Sequence, residues 1–206
     1  MDKFRIGFIG CGEISVYQAR GVSQASNAEI GMVMDLVPAL AQDLGEKYKV
    51  PYTTDVDELL SQEDIYGVYI AVPHYLHAPM AIKAAQAGKH IMVEKPIATN
   101  LQDANAMIKA AKDSGVLLSV CYILRYLSSS IKAKELIDKG AIGKVIGIKM
   151  TGISDKPLSY WQGGYSGRVK TDWRSSKEKA GGGVLIMNLS HNIDLMRYLT
   201  GLEAKE

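Results

Sequence analysis

The stretch FRIGFIGCGEIS, Phe4 to Ser15, runs a short apolar segment straight into Gly10 and Gly12 and then into a helical pattern. An apolar run with so little polar alternation reads as a strand buried on both faces, and such strands belong to parallel sheets covered by helices. AEIGMVMD, YGVYIAV, KHIMVE and GVLLSVCY repeat the pattern, with helical stretches between them. Together they predict an α/β fold, a doubly wound parallel sheet over residues 1–121, with the first helix running from Glu13 to about Val22. Tyr48 to Tyr52 is a weaker strand candidate, because Pro51 has no N–H to give to a ladder.

The helix ends are signed by residue type. Pro79 sits where a first helical residue would and Gly88 supplies a left-handed stop. Asn100 with Asp103 reads as a cap before LQDANAMIKAAKDS, which Gly115 ends. SSSIKAKELIDKG ends at Gly140 and leads into GKVIGIKMTG, whose residues Lys144 to Thr151 carry a strand pattern. From about Ile153 a long irregular segment rich in Gly, Ser, Lys and aromatic residues delivers the chain into a closing helix, and segments of that kind tend to be functional. Residues 122–206 are read as an incomplete second domain.

A formal net charge of +2, from 24 basic and 22 acidic residues without a long run of either sign, leaves no footprint for nucleic acid or an anionic membrane. Small molecules, or further copies of the chain, are the expected partners. Cys11 and Cys121 lie far apart and form no metal-ligand or redox spacing. With no room for a leader before the first strand and no long apolar run, the expectation is a soluble cytoplasmic protein without a metal site.

In the glycine turn, Gly10 allows the chain to reverse sharply and Gly12 lets the backbone approach a diphosphate lying on the helix N-terminus. The third small residue is Ser15 rather than glycine, and the turn alone also serves an ordinary strand-to-helix connection. Asp35 ends the second apolar run, where a carboxylate accepts from both hydroxyls of an adenosine ribose. That carboxylate would repel a 2′-phosphate and no Arg or Lys follows it in DLVPAL, so NAD is preferred over NADP. His74 and His77, in AVPHYLHAPM, either cap the next helix or face a ligand. Glu94, Lys95 and Pro96 stand at another strand end, and a lysine there either makes a surface ion pair or donates to a substrate oxygen. His191, on a helix with Leu185, Leu189, Leu195 and Leu199, is either a core residue or an acid/base, since an imidazole exchanges a proton near neutral pH.

GFIGCGEIS, Asp35, AVPHYLHAPMAIKAAQAGKHIMVEKPIATN, GAIGKVIGIKM and WRSSKEKAGGGVLIMNLSHNIDLMRYLTG, in that order, resemble the Gfo/Idh/MocA family of NAD(P)-dependent oxidoreductases. The resemblance runs essentially from Lys3 to Gly201 and implies a Rossmann domain followed by an α+β substrate domain. It implies that Gly10, Gly12, Glu13 and Ile14 lie on the diphosphate, Asp35 on the ribose, and His74 near the nicotinamide. Glu94 and Lys95 match a Glu-Lys-Pro signature whose lysine touches cofactor and substrate and whose proline is often cis. His191 matches the acid/base, Trp173 with Arg174 matches a Trp-Arg pair ahead of the glycine run, and Arg174 is assigned to substrate.

Many members carry an aspartate four residues before the histidine, where this chain has Met187; Asn188, three before it, matches other branches and can bond a substrate hydroxyl or the imidazole. Asp194 shares the helix face and is expected to orient the ring. The family's members are longer, so the chain is expected to be an N-terminal portion, its full form a homo-oligomer, and its closing helix to present Leu189, Met196 and Leu199 to a missing sheet. Three functions stay open: hydride transfer on a sugar, inositol or related polyol; nucleotide binding without turnover; and NAD-assisted glycosidic cleavage.

Overall fold

The computed structural model describes residues 3–152 and 155–203. Ile153, where the sequence texture changes, lies outside them. Six strands form one parallel sheet in the order β3-β2-β1-β4-β5-β6, comprising β1 (Phe4–Ile9), β2 (Ala28–Met34), β3 (Tyr52–Thr53), β4 (Ile65–Ile70), β5 (His90–Val93) and β6 (Leu118–Val120). The two-residue β3 is all that survives of the Tyr48 to Tyr52 candidate: Tyr48 ends a helix, and the edge strand begins only after Pro51.

Alternation along each strand divides the core between the faces of the sheet. Ile9, Met34, Val68 and Ile70 pack into one apolar cluster with Ala81 and Ala84, whereas Phe8, Val33 and Tyr69 pack into another with Leu40 and Leu44. Helices α1 (Glu13–Gln24) and α2 (Pro38–Tyr48) serve the second cluster, and α3 (Val56–Leu60), α4 (His77–Gln86) and α5 (Leu101–Asp113) the first. Asn100 caps α5 as its spacing predicts, accepting from the Asp103 N–H at 2.8 Å. The expected start of α4 at Pro79 is corrected: the helix begins two residues earlier, at His77, because a 3₁₀ turn over His74–Leu76 feeds directly into it.

Beyond the sheet come α6 (Ser128–Asp138), α7 (Leu158–Gly163), α8 (Lys177–Ala180), a π-helical turn over Leu185–Leu189, and α9 (Ser190–Thr200). The strand expected over Lys144 to Thr151 does not form. Extended backbone becomes a strand only when a neighbour takes its hydrogen bonds, and among the described residues no segment pairs with it; Ile146 is 97% exposed. The closing segment exposes Val184, Leu185, Ile193 and Leu202, whereas the expected Leu189, Met196 and Leu199 are half-buried. Among the described residues no helix is long and apolar enough to cross a membrane, and no cluster of side chains could hold a metal ion.

Candidate active site

The connection reverses direction between β1 and β4, and there the carboxyl ends of the strands leave a crevice, the usual ligand position in open α/β sheets. The cleft measures about 860 Å³, and every residue singled out above as catalytic, cofactor-binding or substrate-binding lines it.

The glycine turn forms one end. Gly10 has φ of 95°, a left-handed conformation, and a Cβ there would lie 2.5 Å from the Ala71 carbonyl oxygen. Ser15 locks the turn, its hydroxyl donating to the Gly10 carbonyl at 2.6 Å from a fully buried position. Gly12 caps α1 with an ordinary φ of −70°, and a Cβ there would meet nothing closer than Val169, at 4.0 Å. The two glycines therefore differ: Gly10 answers to the chain's own packing, Gly12 to open space in the cleft. Asp35 Oδ2 accepts from the Cys11 N–H at 2.7 Å and Oδ1 from the Val37 N–H at 2.8 Å, which fixes the carboxylate at the end of β2. Glu13 turns its carboxylate to the Tyr165 and Ser166 N–H groups, at 3.1 and 2.9 Å, so the segment after α7 is strapped over the start of α1.

The middle of the cleft is built at the ends of β4 and β5. The Glu94 carboxylate accepts from the buried Tyr69 hydroxyl and from the Lys95 N–H. Lys95 and Pro96 are joined by a cis peptide bond, as the resemblance implies. Lys95 Nζ donates to the Met187 carbonyl at 2.8 Å, tying β5 to the π-helical turn, and burial lowers its pKa. His77 does not cap a helix: its Nδ1 and Nε2 lie 2.7 and 3.0 Å from the carbonyls of Pro96 and Val72, pinning the two strand-end loops together.

His74 Nδ1 lies 2.8 Å from the Ala180 carbonyl, which makes it the protonated nitrogen and leaves Nε2 an acceptor. Burial, partly offset by that bond, pushes the His74 pKa down to about 3, so the ring is neutral. This has a consequence for stability. Below the unfolded value of 6.5 the unfolded chain takes up a proton that folded His74 refuses, so stability falls as pH drops from 6.5 towards 3. At pH 4.5 the loss is about 2–3 kcal/mol from this residue. Urea midpoints at pH 7 and pH 4.5 should show that loss shrinking in His74→Asn, which keeps the donor to Ala180; equal losses in both proteins would contradict the assignment.

The far wall comes from the last third of the chain. Trp173, buried, packs against His74 with ring centroids 4.5 Å apart and planes tilted by 57°, and the Arg174 guanidinium lies 4.7 and 5.1 Å from the rings of Trp173 and Tyr160. Met187 and Asn188 sit in the π-helical turn, a deformation frequent at functional sites, and His191 follows on α9. Burial, reinforced by the Lys95 cation and opposed by Asp194, brings the His191 pKa to about 4, and its Nδ1 is buried without a hydrogen-bond partner. The ring-orienting role expected for Asp194 is corrected: its carboxylate takes a two-pronged bond from Arg125, at 2.7 and 2.5 Å, which anchors α9 to the turn after β6. A planar guanidinium satisfies both oxygens at once, a better match than an imidazole held on the same helix.

Sequence reasoning passed over Tyr69, Arg125, Lys156 and Tyr160. Tyr69 reads as one more apolar strand residue, Arg125 finds its partner, Asp194, 69 residues away, and Lys156 and Tyr160, although neighbours in sequence, lie in the irregular segment, where no periodicity marks them.

The sheet order, glycine turn and strand-end carboxylate define a Rossmann-type nucleotide-binding fold. Residues 4–122 match the family described as "Oxidoreductase family, NAD-binding Rossmann fold", and residues 130–206 match the "GFO/IDH/MocA C-terminal domain". The chain belongs to the GFO/IDH/MocA oxidoreductase family. It is 34% identical to levoglucosan dehydrogenase of Pseudarthrobacter phenanthrenivorans over 171 residues, 82% of this chain and 42% of that protein. It is 30% identical to 2,7-anhydro-N-acetylneuraminate hydratase of Mediterraneibacter gnavus over 201 residues, 98% of this chain and 50% of that one. The WlbA dehydrogenase of Bordetella pertussis, crystallised with NADH and UDP-GlcNAcA, superposes with a TM-score of 0.85 at 28% identity, over 96% of this chain and 55% of that one. The chain spans about half the length of the curated relatives it matches.

Proposed function

We propose that the chain is the cofactor-binding and catalytic part of an NAD-dependent oxidoreductase that transfers a hydride between the nicotinamide and a hydroxyl-bearing carbon of a sugar, inositol or related polyol. In this reading residues 1–121 bind the dinucleotide and residues 122–206 belong to the substrate-binding and oligomerisation part. The observation that carries it is the meeting of Lys95, from the end of β5, with His191, from α9, in the cleft that the glycine turn opens.

The residues present fit a dinucleotide. The α1 N-terminus offers unpaired N–H groups beside a Gly12 with no Cβ to obstruct a diphosphate, and Asp35 is held rigidly where a ribose would arrive. NAD, when bound, supplies the hydride acceptor. His191 is neutral above about pH 4 and accepts the substrate hydroxyl proton as the carbon–hydrogen bond breaks. Lys95, its ammonium oriented by the Met187 carbonyl and its backbone N–H held by the Glu94 carboxylate, donates to the reacting oxygen and favours its anionic character. Asn188 holds a further substrate hydroxyl, Arg174 binds another polar group of the substrate, and Trp173 with Tyr160 covers the sugar from water.

Titration with NAD and with NADP should show NAD binding about tenfold tighter or better, since the Asp35 carboxylate repels a 2′-phosphate. Equal affinities would contradict the placing of Asp35. A parallel screen of sugars and polyols for NADH formation tests the reaction, and NAD binding without any turnover would point to a nucleotide-binding protein instead. Similarity to a 2,7-anhydro-N-acetylneuraminate hydratase favours a second reading, redox-neutral cleavage, for which the screen would yield product without net NADH.

A further inference from the structure

One residue of the cleft, Lys156, has no part in the chemistry above. Lys156 Nζ lies 4.6 Å from the Tyr160 ring centroid, and the Arg174 guanidinium lies 5.1 Å from the same ring. Lys156 also stands 4.7 Å from the Tyr165 ring and donates to its hydroxyl, while Arg174 leans on Trp173. Lys95 completes a group of three cations lining one cleft, and Lys156 and Arg174 both act to lower its pKa. Among the described residues none of the three forms an ion pair.

Three carboxylates share the cleft and keep their charge, Glu94 acting to raise the Lys95 pKa, but among the described residues none lies within ion-pair distance of the three cations. Asp35 is held by the Cys11 and Val37 N–H groups, Glu94 by the Tyr69 hydroxyl and the Lys95 N–H, and Glu13 by the Tyr165 and Ser166 N–H groups. Aromatic faces attract cations but leave their mutual repulsion in place. Such a group is complementary to an anion, and it offers both a planar fork and a point charge, the pair that suits a carboxylate or a phosphate ester. The cofactor's own diphosphate has a separate place prepared at the glycine turn. Arg174 comes closest to that end, because its Nη2 and Glu13 Oε2 both approach Gly164; Lys156 makes no such approach and sits instead on the Tyr160 and Tyr165 rings. Lys156 is therefore the residue that separates the two uses.

We propose that the substrate carries an anionic group, a carboxylate or a phosphate ester, and that Lys156 and Arg174 bind it on the Tyr160 side of the cleft while its reacting hydroxyl lies between Lys95 and His191. This rests on the oxidoreductase reading and narrows the substrate class within it to acidic or phosphorylated sugars and polyols.

The test is calorimetric titration of the NAD-loaded protein with matched sets: glucose, glucuronate and glucose 6-phosphate; galactose, galacturonate and galactose 6-phosphate; and myo-inositol with its 1-phosphate. In at least one set a charged member should bind about tenfold or more tightly than its neutral parent. The uronate and phosphate arms tell which anion is meant. Lys156→Met should bring that preference close to unity with NAD affinity unchanged within about twofold, and Lys156→Arg should largely restore it. Three outcomes overturn the proposal: no charged member bound better than its parent in any set, no member of any set bound at all, or Lys156→Met weakening NAD while leaving the preference intact. Failure of the wild-type protein to bind NAD is a different result, and it would overturn the oxidoreductase reading itself.

Discussion

Replacing His191 with asparagine is expected to lower kcat for NAD reduction by about 10²–10⁴-fold while leaving the NAD dissociation constant within about twofold. The split follows from position. His191 lines the cleft on α9, whereas the glycine turn and Asp35, the groups assigned to the dinucleotide, lie just before α1 and just after β2. The pH profile adds a check that a merely structural role would not move. A base must be neutral to accept a proton, and burial with the Lys95 cation lowers His191 from 6.5 to about 4. Wild-type kcat/KM for oxidation should therefore carry an acid limb near pH 4, one that His191→Asn lacks. Asp194 works in the opposite direction, holding the histidine pKa up. A variant that keeps its kcat within about threefold, or an acid limb near 6.5, would sink the assignment.

The second large effect separates the two glycines. Gly10→Ala should destabilise the fold by about 2–4 kcal/mol, measured as a lower urea midpoint at unchanged m-value. The added Cβ meets the Ala71 carbonyl oxygen at 2.5 Å, in a backbone conformation with φ of 95° that L-residues disfavour. Relief is blocked because Ala71 N–H donates to Ile9 and Gly10 N–H to Met34, so the turn is held between β4 and β2. Gly12→Ala should behave otherwise. Its φ is ordinary and its Cβ finds open space, so stability should stay within about 0.5 kcal/mol while NAD affinity falls tenfold or more. Equal stability in the two variants would refute the division of labour.

The parallel sheet was legible in the chain because each buried strand announces itself within six or seven residues, as FRIGFI and AEIGMVM do. Asn100 as a cap was legible for the same reason, since its partner Asp103 is three residues away. Lys144 to Thr151 shows where this fails. Its residues have strand character, yet a strand is a property of two segments, and no described segment pairs with this one. Asp194 fails likewise: helical spacing offers it His191, while its carboxylate goes to Arg125, which no periodicity connects to it.

The sequence by itself determined the sheet, the glycine turn, the strand-end Asp35 and the residue types that meet in the cleft, because these depend on backbone geometry and burial over a few neighbouring positions. Tertiary structure alone decided what surrounds each group: the carbonyl beneath Lys95 and the burial that keeps His74 and His191 neutral. Charge states are set by distances across the fold, through desolvation and Coulomb interaction, and those distances are written in no local stretch of the chain.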